Sequence, residues 1–217
     1  MLALALPTGP LRILCLGAHP DDIEIGCGGT MLRLLAEHPG SACHWVVLSG
    51  GVSGREQEAQ DGAACFLAGA AQRTVSVQRF RDGHFPVALT AIKEALEAVR
   101  QGFSPDLVFT HYRDDRHQDH RTVSDVTWQT FRDHLVLEYE VPKWDGDLAV
   151  PNCFVALPEA VRRQKVEHLL AAFPTQREKR WFSGETFLAL MRLRGVECGA
   201  AEGYAEAFYT RKVRLAL

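Results

Sequence analysis

Four compact apolar runs, each followed by one helical pattern, fill the first half of the chain and leave few folds open to it. Residues 11–17 read as a first strand, 22–37 as a helix ending before Pro39-Gly40, and 42–48 as a second strand. A polar, glycine-rich loop from Ser49 to Gly54 then leads into an alanine-rich helix running from Arg55 to about Ala70. Residues 73–80 alternate as a third strand, 87–100 carry apolar residues at helical spacing, and 106–110 form a fourth strand. Strands separated by one helix each imply βαβ units, and so an α/β fold with a mostly parallel sheet and helices on both faces.

From about residue 140 the pattern loosens. A turn-rich stretch, Val141 to Asp147, precedes a late strand at 151–157, a helix over 158–172 with Pro158 at its start, and a helical pattern over 184–194. No repeat or linker divides the chain. At 217 residues and 47% hydrophobic it is long enough for one well-buried core, and 1–217 is read as a single domain.

Composition removes several classes of function. The formal charge is −3 with both signs interspersed, so no basic face for nucleic acid is expected. No apolar run approaches membrane-spanning length. The apolar opening, Met1 to Leu6, is short and carries no preceding positive charge, so it is not read as a secretory signal. The six cysteines are scattered with no CxxC pair, which points to reduced thiols in a cytoplasmic protein and gives thiolate zinc binding little support.

Two polar clusters carry the chemistry. The first is Ala18-His19-Pro20-Asp21-Asp22, at the carboxyl end of the first strand, where open α/β sheets bind ligands. A structural role is also open to it, with Asp22 capping the next helix and His19 hydrogen-bonded in the core. The second, His111 to His120, holds three histidines and three aspartates after the fourth strand, on the same edge of a parallel sheet. A solvated loop or a helix start capped by Asp119 is its structural alternative. If the two loops converge, His19, Asp22 and His120 supply the three imidazole and carboxylate ligands of a catalytic Zn²⁺ site, whose last position is left for water. Asp21 is then placed to accept a proton from that water. Asp119 and His117 form a carboxylate–imidazole pair that holds a tautomer or sustains a proton donor.

Ala-His-Pro-Asp-Asp at 18–22 and His-Gln-Asp-His at 117–120 resemble the two signature motifs of the PIG-L/LmbE-like family of zinc-dependent N-deacetylases. The similarity extends to Gly28-Gly29-Thr30, Gly54-Arg55-Glu56 and Tyr204-Ala205-Glu206-Ala207-Phe208, and so spans nearly the whole chain. The resemblance implies a Rossmann-like three-layer α/β sandwich, with His19, Asp22 and His120 as metal ligands and Asp21 as general base. It implies that His117 assists, oriented by Asp119. Arg55 resembles the family's substrate-binding arginine, with a salt bridge to a neighbouring helix as its plainer role. Tyr204 is a weaker match to a tyrosine that steadies the tetrahedral oxyanion, against packing in the final element. The metal implied is Zn²⁺, with another divalent ion such as Fe²⁺ also admitted, and a homo-oligomer is implied.

Other features are read as structural. Gly26-Cys27-Gly28-Gly29 lacks the spacing of a dinucleotide fingerprint, Cys27 has no partnering base, and His84 follows a turn. Trp144, with Lys143, Asp145 and Asp147, is either a sugar-binding rim or an ordinary turn. The function expected is hydrolysis of the acetamide of an N-acetylglucosamine-type sugar, a small-molecule substrate. The alternatives are an amidase for a larger N-acyl or thiol conjugate, and a metal-dependent binding protein without turnover.

Overall fold

The computed structural model describes residues 3–214. Its centre is a seven-stranded sheet in the order β3-β2-β1-β4-β5-β7-β6. The strands are β1 (Arg12–Gly17), β2 (Ala42–Val47), β3 (Gln72–Val77), β4 (Leu107–His111), β5 (Leu135–Tyr139), β6 (Cys153–Ala156) and β7 (Ala205–Thr210). The first five are mutually parallel, whereas β7 runs antiparallel to both β5 and β6.

Alternation along β1 divides the core. Ile13 and Cys15 face one layer, with α1 (Asp22–Glu37), α2 (Glu56–Phe66), α5 (Glu159–Ala172) and α6 (Gly184–Cys198) packed on it. Leu14 and Leu16 face the other, formed by α3 (Leu89–Gly102) and α4 (Gln118–Thr130). The result is the three-layer α/β sandwich. Strand order reverses between β1 and β4, which are paired with Cys15 opposite Phe109. The loops leaving these two strands therefore open side by side at a topological switch point.

The glycines of α1 serve packing. A Cβ on Gly26 would lie 2.1 Å from the Tyr139 ring, so only glycine lets α1 settle onto β5, whose Tyr139 hydroxyl donates to the Leu16 carbonyl at 2.7 Å.

Two elements lie beyond the sequence reading, α4 and β5. The helix buries Thr122, Ser124, Thr127 and Thr130 on its inner side, which masks the apolar period that marks a helix. Thr127 satisfies its hydroxyl internally by donating to the Val123 carbonyl at 2.7 Å. The helix expected over 55–70 ends at Phe66, and the final motif is a strand.

Candidate metal centre and cleft

The first loop is a tight turn built around unusual backbone geometry. Asp21 has φ 104° and is the one non-glycine residue with positive φ among the described residues. Holding a side chain there costs about 1–3 kcal/mol, strain that concentrates at functional sites. The neighbouring backbone is pinned: Leu48 and Ser49 donate to the Gly17 and Ala18 carbonyls, each at 2.9 Å. Asp22 begins α1 but does not cap it. Its Oδ2 turns back to accept from the His19 N–H at 2.7 Å and lies 3.2 Å from His19 Nδ1.

The second loop ends at His117, which is the N-cap of α4 and accepts from the Asp119 N–H through Nδ1 at 3.3 Å. One turn further on, His120 points Nδ1 at Asp115 Oδ2 at 2.8 Å, leaving Nε2 to face the first loop. That nitrogen lies 3.2 Å from His19 Nδ1 and 3.5 Å from Asp22 Oδ1.

These spacings fit a metal. Ligand atoms about 2.0–2.1 Å from a tetrahedral Zn²⁺ stand roughly 3.3 Å apart; His19 Nδ1 is 3.2 Å from both His120 Nε2 and Asp22 Oδ2, and the other Asp22 oxygen, Oδ1, is 3.5 Å from His120 Nε2. The protonation states of two of the three suit a metal, whereas at His19 burial is outweighed by Asp22, Asp119 and Asp82, which hold the imidazole well above its ordinary value. Burial, helped by His111, pushes His120 down to about 4, which leaves its ring neutral with a free lone pair. Burial alone would raise Asp22, but His120, His111 and His19 outweigh it and hold the carboxyl well below its ordinary value. Asp21 is pushed up to about 7 by burial, against the pull of Arg55, whose Nη2 is 3.1 Å from its Oδ2.

Asp119 corrects one expectation. Its carboxylate accepts from the Gly83 and Phe85 N–H groups at 2.6 and 3.0 Å and faces His19 Nε2 at 3.2 Å. It therefore orients His19 and not His117, to which it offers only its backbone N–H. Asp82, 61% exposed, shares this task at 3.0 Å from the same nitrogen. An imidazole whose second nitrogen meets a carboxylate is fixed in tautomer and direction.

Tyr204 is the second correction. Its ring packs 4.0 Å from the Arg162 guanidinium and 5.5 Å from that of Arg192, and it does not line the cleft. The closing motif instead sends Glu206 inward, to accept from the Gly29 and Thr30 N–H groups of α1. Arg55 does line the cleft, where it donates to Glu58 of its own helix at 2.8 Å, to the Pro20 carbonyl at 2.8 Å, and to Asp21.

His111 and Asp115 complete the arrangement, although the sequence singles out neither. His111 is fully buried, stacks on His120 with ring centroids 3.9 Å apart, and accepts from the Ala18 N–H at 2.9 Å. Asp115 is buried and, besides His120, holds Lys143 Nζ at 2.9 Å. Both lie within the histidine- and aspartate-rich stretch, His111 as the last residue of β4, but nothing in their spacing separates a residue that braces a ligand from a ligand. Cys27 is fully buried and burial raises its pKa, as suits a packing thiol. His84 sits in the turn before a 3-10 segment, Phe85–Ala88, with Nδ1 near the Asp82 carbonyl.

The resulting cleft, about 180 Å³, has the His and Asp cluster as its floor and Lys143, Trp144, Lys179 and Trp181 on its walls. It offers a strained, buried carboxyl beside three convergent metal donors, the equipment of an acid–base hydrolytic site.

Comparison with known proteins agrees with this architecture. A family model described as PIG-L, GlcNAc-PI de-N-acetylase, matches residues 14–131. An uncharacterized deacetylase of Escherichia coli (strain K12), YaiS, is 34% identical over 142 residues, which cover 60% of this chain and 74% of that one. Among solved structures, the conserved protein TT1542 from Thermus thermophilus superposes with TM-score 0.73 at 24% identity, over 95% of this chain and 97% of the other. The N,N'-diacetylchitobiose deacetylase from Pyrococcus horikoshii, in complex with its inhibitor MPG, gives TM-score 0.69 at 18% identity, over 92% and 83%. At these identities the structural likeness establishes the fold alone.

Proposed function

The chain belongs to the PIG-L family of deacetylases, and on that premise we propose that it hydrolyses the acetamide of an N-acetylglucosamine-type sugar or sugar conjugate to acetate and a free amine, with Zn²⁺ held by His19, Asp22 and His120. The observation that carries this is the meeting of His19 Nδ1, His120 Nε2 and the Asp22 carboxylate within 3.5 Å of one another, with Asp21 directly beside them.

When bound, the divalent ion supplies Lewis acidity toward the amide carbonyl and acidifies water at the site. The chain's own residues do the rest. Asp21, held by Arg55, takes a proton from the attacking water and returns it to the departing nitrogen. His117 spends Nδ1 on accepting from α4, so the proton of its neutral ring sits on Nε2. That N–H donates to the oxygen that gains charge as the carbonyl becomes tetrahedral. Arg55 also faces the substrate. No helix among the described residues is long and apolar enough to cross a membrane.

The test is release of acetate and primary amine in equal amounts from a panel of N-acetylated sugars by the metal-loaded protein. The reading expects turnover of at least one N-acetylglucosaminide, abolished by Asp21→Asn. Turnover confined to bulky N-acyl conjugates, or none across the panel, would overturn it.

A further inference from the structure

The loop between β5 and β6 carries a feature the chemistry above does not use. Trp144 lines the cleft, yet it is 70% exposed. Other indoles of the chain are packed: Trp45 is fully buried, and Trp128 is half-buried with its Nε1 donating to Glu138 at 2.6 Å. We propose that Trp144 is the platform for a second sugar ring, the one joined through the glycosidic bond to the ring that carries the acetamide. The inference rests on the sugar deacetylase reading of the site.

The platform is braced. Lys143, immediately before it, is half-buried with its side chain 8% exposed, and donates from Nζ to Asp115 Oδ2 at 2.9 Å and to Asp147 Oδ2 at 2.7 Å. The same Asp147 oxygen accepts from the Arg116 N–H at 2.7 Å, which closes the loop onto the segment before α4. Asp115 Oδ2 is also the atom that fixes His120. One carboxylate oxygen thus ties the indole's loop to a proposed metal ligand, and a loop held in advance lowers the ordering cost of binding.

Size and polarity indicate what covers it. At about 180 Å³ the cleft is smaller than the roughly 300–1,000 Å³ that encloses a drug-sized ligand. One N-acetylated ring takes up that space, and the group attached to it emerges over the exposed indole. Asp145 follows Trp144, and Lys179 stands 5.5 Å from the Trp181 ring centroid, so this rim mixes indoles with charges. A pyranose meets both, its C–H face on the indole and its hydroxyl edge toward the charged groups. An alkyl chain would desolvate those charges without partnering them.

Calorimetric titration of the metal-loaded full chain tests this, with Asp21→Asn in every sample to stop turnover. The probes are N-acetylglucosamine, N,N'-diacetylchitobiose and octyl N-acetylglucosaminide. Trp144→Ala is expected to weaken the disaccharide about tenfold, to weaken the other two by clearly smaller factors, and to be largely rescued by Trp144→Phe. Equal disaccharide affinity with and without the indole, an equal loss on all three probes, or no disaccharide binding at all would overturn the platform. Failure of the deacetylase reading shows separately, as absence of acetate release by the protein with Asp21 intact.

Discussion

His120 Nε2 stands 3.2 Å from His19 Nδ1, although 101 positions of chain separate the two residues. Two ring nitrogens so close, each with its other nitrogen facing a carboxylate, are oriented to converge on one cation. The pairing of β1 with β4 creates this proximity by placing their following loops together at the switch point.

Replacement of Asp21 by Asn is expected to leave bound metal within about twofold of normal and to lower turnover by about 10²–10⁴, the usual contribution of a general base. Elemental analysis and acetate release on the same sample check it. Equal turnover would remove Asp21 from the mechanism.

Asp119→Asn separates two roles for that carboxylate. Because it faces His19 and not His117, the change is expected to weaken metal affinity about 10–100-fold, the range for a residue that orients a ligand. Competition with a chromogenic chelator measures this. Unaltered affinity with reduced turnover would return Asp119 to the His117 side.

Tyr204→Phe is expected to keep turnover within about twofold, because the ring packs on Arg162 and Arg192 and away from the cleft. A hundredfold fall in turnover, comparable to loss of an oxyanion donor, would contradict this placement.

Glu58 gives a stability prediction with a defined pH direction. Burial would raise its pKa, but Arg55 and two donors from Thr175, at 2.9 and 2.7 Å, outweigh it and hold the carboxyl below its ordinary value. A depressed native pKa contributes stability that is fully present above the unfolded value, about 4.3, and is lost as pH falls through the native one. Glu58→Gln is therefore expected to cost about 1–2 kcal/mol at pH 7, with the gap closing as the solution is acidified below pH about 4. Urea unfolding at both pH values measures it, and a gap that widens on acidification would refute the assignment.

The βαβ rhythm of the first half was legible in the sequence because its buried strands are short apolar runs with one helix between each. The proposed metal donors stand out in the sequence because His19 and Asp22 follow one of those strands and His120 lies in the histidine- and aspartate-rich stretch after another. The polar α4 was hidden by its buried threonines. The partner of Asp119 was hidden by folding: adjacency to His117 in sequence suggested that ring, whereas the start of a helix turned the carboxylate the other way, toward His19. Tyr204 matched a motif whose neighbouring positions serve the α1 contact through Glu206.

The most direct test of the whole account is acetate release from an N-acetylglucosaminide by chelator-stripped protein titrated with Zn²⁺. The account predicts negligible release without metal, a rise that saturates at about one ion per chain, and no such recovery in His120→Ala. Stripped protein that releases acetate at the full rate would contradict it.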